Sequence, residues 1–105
     1  MLIYPLFFIG AQSEEVTGDR DLFYRAERRL DAADYALAIE LYSRLGREYP
    51  LSSWIPDAQF RIGQCYYHLG ENYKALLQMK RVTARYKMTR YAVYLPFWRG
   101  ILSYK

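Results

Sequence analysis

The chain repeats itself at an interval of 37 residues. Phe23, Phe60 and Phe97 fall in register, as do the small residues Ala26, Gly63 and Gly100 and, behind them, Leu30, Tyr67 and Tyr104. A second set recurs once at the same spacing: Ala38 with Ala75, Ile39 with Leu76, Leu45 with Val82, and Tyr49 with Tyr86. A period of about 20 to 50 residues marks stacked supersecondary units, because one helical pair cannot bury its apolar face alone. The pattern predicts a solenoid that offers a binding surface rather than a catalytic site.

Within each period the apolar spacing is helical. Leu22, Phe23, Ala26 and Leu30 predict a helix over 19–31, and Leu37, Ala38, Leu41, Tyr42 and Leu45 predict a second over 35–48, stopped by Pro50. Ser52 or Ser53 is expected to cap a third helix that tolerates Pro56 in its first turn and ends near Leu69, with Gly70 as a left-handed cap. A fourth runs from Glu71 or Asn72 to Tyr86, and a fifth begins near Thr89, where Pro96 kinks it or marks its true start. No stretch alternates like a strand, so the expected class is all-α. The small residues at 26, 63, 38 and 75 let paired backbones approach closely, where a larger side chain would overpack by about 1–3 kcal/mol.

Composition narrows the function. Of the 105 residues 52% are hydrophobic and 12 are tyrosines, enough for an aromatic core with polar edges. Cys65 is the single cysteine, which excludes an intrachain disulfide, and with His68 it supplies only two of the three or four ligands a zinc ion needs. No Ser/His/Asp set, carboxylate pair or phosphate loop is present, and Glu14-Glu15 reads as a solvated run. The chain is therefore expected to be no enzyme and to bind no cofactor. Charge is polarised: residues 1–71 carry 7 Lys/Arg against 11 Asp/Glu, whereas residues 72–105 carry 8 Lys/Arg and no acidic residue. That basic third is a solvated helix face, or else it meets an acidic protein partner or an anionic lipid surface. No nucleic-acid motif accompanies it.

Residues 1–18 form a separate apolar-to-polar segment. MLIYPLFFIGA is shorter than the roughly 20 apolar residues of a membrane span, and it resembles the apolar stretch of a secretory signal with Ile9-Gly10-Ala11 at the cleavage position. The basic start of such signals is missing, so the natural start is expected upstream, or else the segment is something other than a signal, such as a hydrophobic strap on the first helix. No cysteine follows the run to serve as a lipoprotein acylation site.

Repeat one supplies Ala26, Ala33, Ala38, Tyr42 and Pro50, and repeat two supplies Ile62, Gly63, Tyr66, Gly70 and Ala75, with Met79 for the aromatic and Lys87 for the proline. In these residues, and most clearly over Asp57 to Gly70, the chain resembles the tetratricopeptide repeat family. It departs at the large aromatic near the start of the first helix of each unit, where Leu22, Gln59 and Pro96 stand and the aromatic has moved one place on. That shift, the extra residues around Ser52 to Pro56, and the stretch from Arg90 through Gly100 resemble bacterial envelope members: outer-membrane assembly lipoproteins of the BamD type and the periplasmic coordinator of the Tol–Pal system. The resemblance covers about residues 20–105.

It implies a right-handed solenoid of about two and a half repeats, over about 19–52, 53–88 and a partial 89–105. It further implies a non-enzymatic scaffold for a protein or peptide partner, periplasmic or otherwise in the cell envelope, with a cytoplasmic peptide-binding module as the alternative. The implied groove positions are Phe23, Glu27, Leu30 and Asp31, then Phe60, Gln64, Tyr67 and His68, then Phe97, Ile101, Tyr104 and Lys105. Spacings of four and seven put each set on one helix face. The last helix has little polar face, so the natural chain is expected to continue past Lys105, or this end to dock on another subunit or on its own copy.

Overall fold

The computed structural model describes residues 18–86. Four helices follow one another: α1 (Asp19–Asp31), α2 (Tyr35–Glu48), α3 (Ile55–His68) and α4 (Asn72–Arg85). No strand occurs among the described residues, and the class is all-α. α1 pairs with α2, α3 with α4, and α2 with α3, which joins two helical hairpins into a stack. The expected fifth helix, with Phe97, Ile101, Tyr104 and Lys105, lies outside the described residues, as does the apolar N-terminal segment.

The 37-residue period is reproduced bond for bond at the turns. At the end of α3, Glu71 N–H donates to Tyr66 C=O at 2.9 Å and Gly70 N–H to Tyr67 C=O at 3.0 Å. At the end of α1, Asp34 N–H donates to Arg29 C=O at 2.8 Å and Ala33 N–H to Leu30 C=O at 2.9 Å. Both are Schellman closures, which satisfy the orphan carbonyls of a helix end around one left-handed residue. Gly70 takes φ +80° without strain, whereas Ala33 takes φ +62° with a Cβ that disfavours it.

The junction between hairpins departs from expectation. Neither Ser52 nor Ser53 caps α3; the residue before the helix is Trp54, which makes no side-chain cap hydrogen bond. Ser52 instead folds the connection onto α1. Its hydroxyl donates to Asp19 Oδ2 at 2.5 Å and accepts Trp54 N–H at 3.0 Å. A serine that bonds locally holds a turn rather than a helix start, and here it carries Trp54 over Phe23.

Two apolar clusters result. The larger gathers Leu22, Phe23 and Ala26 of α1, Ala38, Tyr42 and Leu45 of α2, and Ala58, Ile62 and Cys65 of α3. The smaller holds Phe60, Met79 and Val82 between α3 and α4, with Tyr86 against it. Ala26, Ala38 and Ala75 are wholly buried, as the close-approach reading requires. At Gly63 an added Cβ would stand 2.7 Å from the Met79 methyl, so the Met79 side chain folds over the glycine.

Candidate functional site

The groove expectation divides on burial. Phe23 and Phe60 are 5% and 6% exposed, which removes both from any accessible groove and corrects that part of the expectation. Phe23 lies in the seam between hairpins: its ring stacks on Trp54 at 4.7 Å and meets Tyr42 at 5.7 Å. Phe60 closes the smaller cluster. Periodicity identifies residues that share a helix face; an aromatic on that face enters the seam whenever a neighbouring helix covers it.

Of the remaining described positions, Glu27 of α1 and Gln64 of α3 are linked through Arg61. Tyr42 donates its phenol proton in a short hydrogen bond to Glu27 Oε1. The same oxygen stands 3.3 Å from Arg61 Nε, an ion pair between α1 and α3. Arg61 Nη1 then donates to Gln64 Oε1 at 2.9 Å. This chain of polar groups bridges three helices and extends from the buried Tyr42 phenol to the half-buried Gln64. Glu27 and Gln64 therefore hold the stack together as well as bordering its surface. Leu30 is half-buried against the larger cluster, and Asp31 is exposed at the end of α1.

The end of α3 carries an aromatic platform. The exposed His68 imidazole stacks on Tyr35 of α2 with ring centres 4.9 Å apart and planes 10° apart, and the half-buried Tyr67 ring meets it edge-on at 5.7 Å. Tyr67 and His68 thus offer two adjoining ring surfaces, apolar with polar edges, set at an angle to one another. The family resemblance implied these two as groove positions but not Tyr35, which starts the second helix of the first hairpin. It also missed Trp54, whose position in a connection gave no periodic signal.

Burial shapes the titration of the junction. It pushes the Cys65 thiol up from an ordinary 9.0 to about 11, helped by the Glu27 charge and opposed by Arg61. Burial first, then the hydrogen bond to Glu27, raises Tyr42 well above the usual phenol range. Both are acids that the fold holds neutral, so each has a folded pKa above its unfolded one. The stability they support is complete below the unfolded value and is lost as pH rises. Urea unfolding should therefore show a decline starting near pH 9 and reaching on the order of 2 kcal/mol from Cys65 by about pH 11. The Cys65→Ala variant should flatten that part of the curve. A wild-type midpoint unchanged across the interval would contradict the assignment.

A second surface feature lies on the opposite side of α3. α2 and α4 flank a cleft of about 800 Å³ that α3 floors with Ile55, Ala58 and Ile62, while Arg47, Arg81 and Arg85 line its sides. Ile55, Ala58, Gln59, Ile62 and Tyr66, the α3 positions that reach it, recur at three and four residues. They form the helix face turned away from Gln64 and His68. Sequence reading had flagged the basic third of the chain without locating this cleft.

No curated protein matches the chain. A family model does: the outer membrane lipoprotein family YfiO matches residues 16–105, far more than half of the sequence. That match spans both hairpins described above and the polar chain that joins them. By its sequence, and with an all-α helical-repeat fold in agreement, the chain belongs to the outer membrane lipoprotein family YfiO.

Proposed function

We propose that the chain is a non-enzymatic scaffold of the bacterial cell envelope that binds protein or peptide partners during outer-membrane assembly. The observation that carries this reading is membership of an outer-membrane lipoprotein family by a chain built of stacked helical hairpins. The partner face is that of α1 and α3. Asp31 and the Tyr67–His68 platform make contact, and Leu30, Glu27 and Gln64 form its half-buried border. Ile101 and Tyr104 continue the registers of Glu27–Gln64 and Leu30–Tyr67 in the third repeat. Aromatic rings with polar edges suit a partner segment that inserts apolar side chains and is oriented by hydrogen bonds. The chain works on the periplasmic side, where such partners are met.

A photoreactive amino acid at Tyr67 should crosslink to envelope proteins in living cells, and the same probe at Tyr73, 78% exposed on α4, should not. Equal crosslinking from both positions, or recovery of the chain only with cytoplasmic proteins, would defeat the reading.

A further inference from the structure

The cleft between α2 and α4 has properties that the stack itself does not require. Gly46 of α2 lines it. A glycine within a helix costs about 1 kcal/mol relative to alanine. Gly63 avoids a clash with Met79, but a Cβ added at Gly46 would meet nothing within 4 Å. Packing gives no reason for the glycine, and its effect is to leave one wall of the cleft bare.

Charge is the second property. Among the described residues that line the cleft there are three arginines and no carboxylate. Arg81 and Arg85 stand one turn apart on α4, both exposed, and neither makes an ion pair within the described residues. Arg47 Nη2 is 3.1 Å from Glu40 Oε2, with both side chains about 60% exposed. A surface pair of that kind is worth little and exchanges readily for another anion. Arginine forks match carboxylates in two-pronged fashion.

We propose that this cleft binds an acidic segment of a partner protein, its carboxylates on Arg81, Arg85 and Arg47 and an apolar side chain between them against the floor beside Gly46. The floor favours a peptide over a membrane. A bilayer surface can meet the exposed guanidinium groups, but the half-buried Ile55 and Tyr66 line the α3 side of the cleft between α2 and α4, where the side chain of a peptide can reach them and a flat surface cannot. The site is separate from the α1–α3 face, being on the other side of α3, and its tests leave Tyr67 and His68 intact.

Fluorescence anisotropy of a labelled peptide alternating glutamate and phenylalanine, titrated with the full chain, tests the proposal. The acidic peptide should bind, rising salt should weaken it, and its glutamine counterpart should bind at least about tenfold more weakly. Gly46→Leu should fill the bare wall and reduce affinity about tenfold or more with helicity retained, and so should the pair Arg81→Glu and Arg85→Glu. Ala84→Glu, which adds a carboxylate at an exposed lining position, serves if the leucine variant does not fold. Absence of binding would overturn the proposal, as would an affinity indifferent to Gly46→Leu or, in its place, to Ala84→Glu. Phosphatidylglycerol vesicles that bind, lose binding with the arginines, and ignore Gly46→Leu, while the peptide fails to bind, would assign the surface to anionic lipid instead.

Discussion

Replacing Phe23 with alanine should destabilise the chain by about 3–5 kcal/mol, the usual cost of truncating a buried aromatic. The ring is 5% exposed and is held on three sides, by Trp54 at 4.7 Å, Tyr42 at 5.7 Å and Tyr24 at 5.7 Å. Little can collapse into the space, because Trp54 is itself tied down through the Ser52 bridge to Asp19. The two hairpins would lose the contact that locks the connection between them. Urea unfolding should show a lower midpoint with an unchanged slope. Trp54→Ala should be less costly alone, since that ring is half-buried. A double-mutant cycle should return a coupling of about 0.5–1.5 kcal/mol beyond the separate effects. Additive losses would mean that the stacked geometry contributes no more than buried area.

Tyr42→Ala should cost a similar amount, about 3–5 kcal/mol, for a different combination of reasons. Tyr42 is 1% exposed at the point where α1, α2 and α3 meet. Its removal opens a cavity and also takes the donor from Glu27 Oε1. Tyr42→Phe separates the two contributions. It keeps the ring and should cost only about 1–2 kcal/mol, because Glu27 retains the Arg61 guanidinium as a partner at 3.3 Å. With a total stability of about 5–15 kcal/mol for a domain of this size, the alanine variant should be near or past its limit at 37 °C and the phenylalanine variant well folded. Comparable losses for both would assign the stability to the polar chain rather than to packing.

Much of the architecture was written locally. The bounds of α1 and α2 match the expected spans, because apolar spacing and turn residues act within a few neighbours of one another. Gly70 was legible as a left-handed cap for the same reason. Ser52 was not legible. A serine before a helix can bond forward to that helix or hold a turn, and the choice depends on Asp19, 33 residues earlier in the chain. Of the candidate site, Tyr67 and His68 were implied as groove positions by the family resemblance, with spacing placing them on one helix face, while Tyr35 was not named because it joins them from another helix. Family membership was also foreseeable, since the motif residues stand at fixed intervals that need no coordinates.

What the amino-acid order determined by itself is the unit: two helices, a left-handed turn, and a period of 37 that makes the units alike. Only the tertiary structure decided what each face meets. It sent Phe23 and Phe60 into the seams, drew Glu27 and Arg61 into one ion pair, and left an arginine-lined cleft beside Gly46. The physical reason is that helical spacing is a rule about one helix, whereas burial and charge pairing are set by whichever second helix packs against it.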